Sequence, residues 1–434
     1  MTAQRPLQVA FLYTRESRYS VHALVGAMDT HEVYRRLPLL MGHRPEEIRQ
    51  KISEVKKEGA IVLCLSFTSA RARDMGRLLR DIRADRDASD SGDARLIALA
   101  GGSHATAMPE QTLNMGFDLV VAGEGEGVFL ELLDRFSADS DWRDVPGIGW
   151  RDNEGTFHLN PRPAPISLDD FPCFSHARGH YGHIEITRGC PFACAFCQTS
   201  RIQGGKPRHR SIESICRHIE VMRQAGRVDY RFITPNAFGY GSPDGREARP
   251  EMVGQLLKAM RETAGPEGRI YFGSFPSEVR PEHVTDENVS WVREYCDNRQ
   301  LIIGAQSGSA SMLEASHRGH SVDDVMKATR CILRNGLGVG VDFIFGLPGE
   351  TDADREATIR LMFQLAEMGA RIHTHTFMPI PGTKWADAPP GKIRPDLLRS
   401  LHQLIPRGHA YGNWKEQEII ARQIARMSRE NPGT

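Results

Sequence analysis

Neither sign of charge prevails in this chain: its 434 residues hold 55 Lys plus Arg and 55 Asp plus Glu. That balance gives no electrostatic case for a polyanionic partner, so nucleic acid is set aside. The basic stretch Lys206-Pro207-Arg208-His209-Arg210 reads as a solvated loop. No apolar run approaches the ~20 residues that span a bilayer. Met1 to Pro6 lacks a charged segment followed by an apolar core, so no secretion signal is expected there and the cytoplasm is the expected compartment. There is no internal repeat and no low-complexity segment.

A second Cys-x-x-Cys pair is also missing, and that absence sharpens the meaning of the eight cysteines present. Three of them, Cys190, Cys194 and Cys197, stand in Arg188-Gly189-Cys190-Pro191-Phe192-Ala193-Cys194-Ala195-Phe196-Cys197. Structural zinc normally takes four ligands, so zinc would need His183 or His209 as the fourth. A disulfide cannot use three cysteines evenly. Thiolate is the ligand of iron–sulfur clusters. Three thiolates in one loop hold three corners of a 4Fe-4S cube and leave the last iron open to a small molecule. Cys64, Cys216, Cys296 and Cys331 sit in apolar or helical contexts and read as core residues. Cys173 has no evident role.

Length predicts two or three domains. From 7 to 136, apolar runs such as Val9–Tyr13, Ile61–Leu65, Leu96–Ala100 and Leu119–Ala122 alternate with helical patterns, predicting a doubly wound parallel sheet. The span 141–180 turns to Pro, Asp and Gly and reads as a linker with a short hairpin near Ile148–Trp150 and Thr156–His158. From 181 to 384, six strand–helix units suggest a partial TIM-like barrel with its chemistry at the strands' carboxyl ends. Their strands are expected at His183–Ile186, Tyr230–Ile233, Ile270–Phe272, Leu301–Gly304, Val339–Phe345 and Ile372–Met378. The three-cysteine loop follows the first of them. Residues 385–434 form a short helical extension, with Leu397, Leu398, Leu401 and Leu404 on one helix and Ile419, Ile420, Ile424 and Met427 on another.

The cysteine spacing, with Phe196 before the third cysteine, resembles the signature of the radical S-adenosylmethionine (SAM) superfamily. The resemblance covers roughly residues 180–380 and implies that the open iron chelates SAM. It places SAM contacts at Phe196; at Thr234 and Asn236, where relatives often have Gly-Gly-Glu; and at Gln306 and Ser307, with Gln where many relatives have Glu. It also implies Ile344 and Gly346 in Asp342-Phe343-Ile344-Phe345-Gly346-Leu347-Pro348-Gly349-Glu350, and Met378 in Phe377-Met378-Pro379.

The first sheet resembles the cobalamin (B12)-binding domain found ahead of many such barrels. The features carried over are the strand-end residues Ser66, Thr68, Gly101, Gly102 and Gly123. The Asp-x-His-x-x-Gly motif of many cobalamin proteins is missing; Ser20-Val21-His22 with Gly26 is a mis-spaced echo, and His22 reads as an ordinary helix side chain.

The resemblance implies a radical SAM enzyme that cleaves SAM to methionine and a 5′-deoxyadenosyl radical, with cobalamin-dependent methylation or another radical transformation of its substrate as the outcome. It further implies a small-molecule or peptide substrate and a one-electron reductant such as ferredoxin or flavodoxin. Two rival readings stand beside it: a methylthiotransferase-like RNA-modifying enzyme, and a non-enzymatic cluster- or corrin-binding protein for electron transfer or sensing. Asn236, Tyr240, Glu278, Arg280, His373 and His375 are expected at the barrel mouth as substrate contacts, with an ion pair between Glu278 and Arg280 as the structural alternative for those two.

Overall fold

The computed structural model describes residues 6–55, 59–88 and 94–429. The chain separates after Gly182 into two compact units.

The first unit is built on strands β1 (Leu7–Leu12), β2 (Leu39–Gly42), β3 (Ala60–Ser66), β4 (Arg95–Gly101) and β5 (Leu119–Val121). They run parallel in the order β2-β1-β3-β4-β5. Val9, Phe11, Val62 and Leu99 are buried against Val21, Val25, Phe129 and Leu132 of the covering helices. Burying one such side chain contributes about 1.5–3 kcal/mol, so continuous apolar strands favour a sheet covered on both faces.

The proposed linker span does not hang free of this sheet. Its hairpin, β6 (Ile148–Arg151) and β7 (Phe157–Leu159), extends the sheet antiparallel from β5. Further on, Arg178 pairs with half-buried Asp29 at 3.0 Å and donates to the carbonyls of Tyr34 and Leu37. The strand β2 escaped the sequence reading because Leu39, Leu40 and Met41 form a short, half-buried edge.

The second unit opens with β8 (Ile184–Glu185) and β9 (Thr187–Arg188), where the expected strand His183–Ile186 breaks. β9 turns away to pair antiparallel with β10 (Arg208–His209). The parallel wall continues through β11 (Asp229–Ile233) and β12 (Arg269–Tyr271). A bridge between Val279 and Ile303 carries it to β13 (Gln300–Gln306), β14 (Gly338–Phe345) and β15 (Arg371–Thr376). A seventh parallel strand, β16 (Ala410–Tyr411), comes from the segment expected to be only helical. That segment's two helices, Pro395–Leu404 and Trp414–Arg429, form as the periodicity predicts.

Helices connect the strands on the outside, and four of them start on a side-chain cap: Ser211, Thr285, Ser321 and Thr351 each accept from an N–H in the first turn. Register sets the inner face. Asp342 stands opposite His373, Ile344 opposite His375 and Tyr411 beside His373, so alternation turns all five to one side.

Candidate functional site

The cysteine loop leaves β9 through Gly189, whose φ of +95° suits glycine; a Cβ there would collide with the Lys206 carbonyl. Ala193 takes a positive φ of +49°, turning the chain between the first two cysteines. Backbone bonds pin the loop: Cys190 N–H donates to Gly204 O at 3.0 Å, Ala195 N–H to Ser316 O at 2.9 Å, and Trp385 N–H to Ala195 O at 3.0 Å. The Ser200 hydroxyl donates to Cys190 O at 2.6 Å.

Cys194 is buried, Cys190 and Cys197 are half-buried, and all three thiols are free. Burial pushes the Cys190 thiol up, and the neighbouring Cys197 and Cys194 add to it. A thiolate there calls for nearby positive charge. Donors approach the sulfurs: Thr199 N–H lies 3.5 Å from Cys197 Sγ, and Arg318 Nη1 lies 3.8 Å from Cys194 Sγ. The Arg280 guanidinium covers the Phe192 ring at 3.3 Å from its centroid.

These residues fit a cluster better than a single ion. Among the described residues, only Asp342, His373 and His375 bring three His, Cys, Asp or Glu ligand atoms within 4.8 Å of one another. Tetrahedral zinc with Zn–S of about 2.3 Å holds its sulfurs about 3.8 Å apart. His209 does not complete a zinc set either. Its Nδ1 meets Thr187 Oγ1 at 2.9 Å and its Nε2 meets Ser242 O at 2.8 Å.

The residues expected around SAM divide into two groups. Phe196 and Ile344 come together in one apolar cluster with Met312, Leu347, Phe377, Trp385 and Ala388. Gln306 sits buried at a strand irregularity with φ +69°. Met378 is half-buried beside Phe377.

The others are engaged within the chain. Asn236 offers Nδ2 to His283 Nδ1 at 2.7 Å, and its Oδ1 accepts from Arg280 N–H at 3.1 Å. Thr234 Oγ1 donates to Asn236 O at 3.1 Å. The Ser307 hydroxyl lies 3.2 Å from Thr358 Oγ1 and accepts from Ser309 N–H at 3.1 Å. Gly346, expected to admit a flat ring, instead admits the chain itself: at φ +70° a Cβ would meet Lys392 N at 2.5 Å.

Among the expected substrate contacts, Tyr240 is buried and donates to Arg210 O at 2.7 Å. Arg280 pairs with Glu282 at 2.5 Å and not with Glu278. Glu278 lies against Asp342; burial, then that neighbour's charge, pushes its carboxyl up to about 8. His373 Nδ1 is 2.9 Å from Asp342 Oδ1 and 3.2 Å from His375 Nε2, and its ring stacks on Tyr411 at 4.6 Å. Burial, then His373, pushes His375 down, keeping it neutral. Arg318, Tyr411 and Gln417 were missed by the sequence reading; the two-residue spacing of His373 and His375 on one strand was the available signal for this wall.

In the first unit, the sheet order reverses between β1 and β3, which is where doubly wound folds take their ligands. A cavity of about 310 Å³ opens there, lined among others by Thr14, Ser17, Ser66, Arg71 and Met75. Ser66 pairs with Gly101 across the strand ends. Gly102, at φ +89°, has no room for a Cβ, which would meet Phe67 O at 2.8 Å, whereas one at Gly101 would meet nothing within 4 Å. Thr68 is exposed beyond β3, and Gly123 follows β5 with its N–H on Thr106 Oγ1 at 3.0 Å. Of the expected cobalamin residues Ser66 lines this cavity, whose wall also carries Glu16, Arg49 and Asp74; Gly101, Gly102 and Gly123 stand at the ends of β4 and β5, and of these Gly101 leaves open space for an approaching nucleotide tail. His22 is buried, with Nε2 at 2.9 Å from the Tyr13 hydroxyl.

Residues 184–362 match the radical SAM superfamily domain, and residues 20–133 match the B12 binding domain. An uncharacterized protein of Methanopyrus kandleri is 25% identical over 384 residues, which is 75% of this chain and 71% of that protein. An uncharacterized methyltransferase of Pyrococcus horikoshii is 26% identical over 302 residues, 67% of this chain and 62% of that protein. A tRNA-2-methylthio-N(6)-dimethylallyladenosine synthase of Moorella thermoacetica is 29% identical over 243 residues, 55% of this chain and 52% of that enzyme.

Two solved structures share the fold. The radical SAM methyltransferase TsrM of Kitasatospora setae, with cobalamin and a [4Fe-4S] cluster bound, superposes with a TM-score of 0.67 at 15% identity, covering 88% of this chain and 74% of that one. The cobalamin-dependent radical SAM enzyme OxsB, with aqua-cobalamin bound, gives 0.65 at 17% identity, covering 83% and 52%. None of the described helices is long and apolar enough to cross a membrane.

Proposed function

This chain belongs to the radical SAM superfamily and carries a B12 binding domain, with a 4Fe-4S cluster, SAM and cobalamin as its cofactors, and from that premise we propose that it transfers a methyl group from SAM, by way of cobalamin, to a carbon of its substrate. When bound, the cluster supplies the electron that splits the SAM sulfonium and cobalamin supplies the methyl group. The observation that carries this reading is the pinned loop of three thiols outside any disulfide, with His209, one of the two candidate fourth ligands, held elsewhere.

The chain's own residues have distinct tasks. Cys190, Cys194 and Cys197 hold the cluster, and Arg318 steadies the charge on Cys194. The apolar patch of Phe196, Ile344, Leu347 and Phe377 excludes water where SAM would lie. Ser66 and the glycine rim of the first sheet receive the cobalamin tail. A small one-electron protein such as a ferredoxin or flavodoxin would reduce the cluster.

Anaerobic reconstitution with iron, sulfide and cobalamin, followed by mass spectrometry of SAM products, tests the proposal. S-adenosylhomocysteine formed together with 5′-deoxyadenosine is the expected result. 5′-deoxyadenosine alone would point to a different radical reaction, and neither product under strong reduction would overturn the enzyme reading.

A further inference from the structure

The inner wall of the second unit gathers Asp342, His373, His375 and Tyr411 on neighbouring strands, with Glu278 beside the Val279–Ile303 bridge. The ligand atoms of Asp342, His373 and His375 lie within 4.8 Å of one another, a spacing that a divalent ion would accept. Hydrogen bonding argues against an ion. The Thr376 N–H occupies Gln417 Oε1 at 2.8 Å, so Gln417 turns its N–H toward His375 Nδ1 at 3.1 Å. A neutral His375 then carries its proton on Nε2 and donates it to His373 Nδ1 at 3.2 Å. Ligation of a metal would need a lone pair at that same Nε2.

The nearer neighbour of His373 Nδ1 is Asp342 Oδ1 at 2.9 Å, and Asp342 in turn faces the Glu278 carboxyl, so two carboxyls meet in one site and share one proton. The raised Glu278 carboxyl agrees, because two packed carboxyls do not both ionise without a compensating charge. Arg318 also faces this pair, but its guanidinium is committed to Gly304 O at 3.0 Å and to Cys194 Sγ. Tyr411 is kept as a phenol by burial and by the charges of Asp342 and Glu278. The wall is within reach of a ligand: the His373 side chain is 28% exposed. It also lies close to the apolar patch, because Asp342 is two residues before Ile344, about 6.6 Å along the strand.

We propose that Glu278, Asp342, His373 and Tyr411 form the substrate-recognition wall of the barrel, and that they bind a protonated nitrogen of the substrate, an amine or guanidine, in place of the shared proton. This deepens the methyl-transfer reading, and it rests on that reading for the identity of the bound molecule as substrate. The carboxyls supply the negative charge, and the phenol oxygen accepts a remaining N–H bond. A neutral or acidic group would leave the carboxyl proton in place and gain much less.

The test uses the full chain loaded with its cluster, with 1,4-diaminobutane and its neutral counterpart 1,4-butanediol as probes. Calorimetry at neutral pH in two buffers of different ionisation heat gives both affinity and protons released. The diamine is expected to bind about tenfold or more tightly than the diol, as a charge-assisted hydrogen bond implies, and to release a proton. Glu278→Gln should abolish both the preference and the release. Tyr411→Phe, which keeps the ring stack, should weaken the diamine less.

Equal binding of the two probes, tighter binding of butanedioate, or a folded Glu278→Gln protein with unchanged preference would overturn the proposal. Should Glu278→Gln fail to fold, unchanged diamine affinity in Tyr411→Phe would overturn it. SAM cleavage, assayed separately without probes, distinguishes the two claims. Cleavage without probe preference sinks only the wall, and probe preference without cleavage sinks only the enzyme reading.

Discussion

The strand ends of the first sheet and the inner wall of the second unit present opposite surfaces. The first rim is made of backbone and small residues: Gly101 leaves open space where a Cβ would stand, Gly102 is pressed against Phe67 O, and Ser66 stands at the cavity edge. The inner wall is made of side chains locked to one another, Glu278 on Asp342, Asp342 on His373, His373 on His375. A rim of that kind receives a ligand by shape and backbone, with little demand on protonation. A wall of that kind discriminates by charge and responds to pH. The difference teaches that two parallel sheets in one chain can carry surfaces of different character, one offering shape and backbone and the other paired charge.

The sharpest break of this comparison comes from the cluster itself. Cys194→Ala should abolish iron loading and SAM cleavage, read by iron content and product formation, while cobalamin binding to the first unit persists. Next in size, Gly102→Val should destabilise the first unit by about 2–3 kcal/mol, because both its φ and its space forbid a side chain. Gly101→Ala, with open space around its Cβ, should leave the melting temperature unchanged and affect only cobalamin uptake.

A smaller effect concerns pH. The Glu278 carboxyl is raised in the folded protein, so it favours folding at low pH, and that contribution fades as pH rises from about 4.5 toward about 8. Glu278→Gln should remove that fade, making the denaturant midpoint flatter over the same window; an identical pH profile in both proteins would contradict the wall's buried carboxyl pair. Smallest, Arg318→Met withdraws a positive charge from Cys194 Sγ and should shift the cluster's reduction potential downward, measured by redox titration followed by electron paramagnetic resonance.

Much of this was legible in the sequence wherever the signal was local. Cysteine spacing lies within eight residues, and continuous apolar runs announced the long strands of both units. What escaped depends on partners far along the chain. Nothing near Gly346 says that Gly391 and Lys392 will press against it, and nothing near Asn236 says that His283 will take its amide. β16 is two residues long and acquires meaning only by pairing with β15. Asp342 stood within a motif read for its glycine and apolar residues, and its link to His373 spans 31 positions.

One small feature of the cysteine loop reaches beyond catalysis. Ala195 is clasped from two remote segments, giving its N–H to Ser316 and its carbonyl to Trp385. Both bonds run backbone to backbone and ask nothing of the thiols, so a mould held by them alone would let assembly proceed by insertion. Repair after oxygen damage should then need only iron and sulfide, not refolding; slow deuterium uptake at Ala195 in metal-stripped protein is the sign to look for, and rapid uptake would show the mould to be cast by its contents.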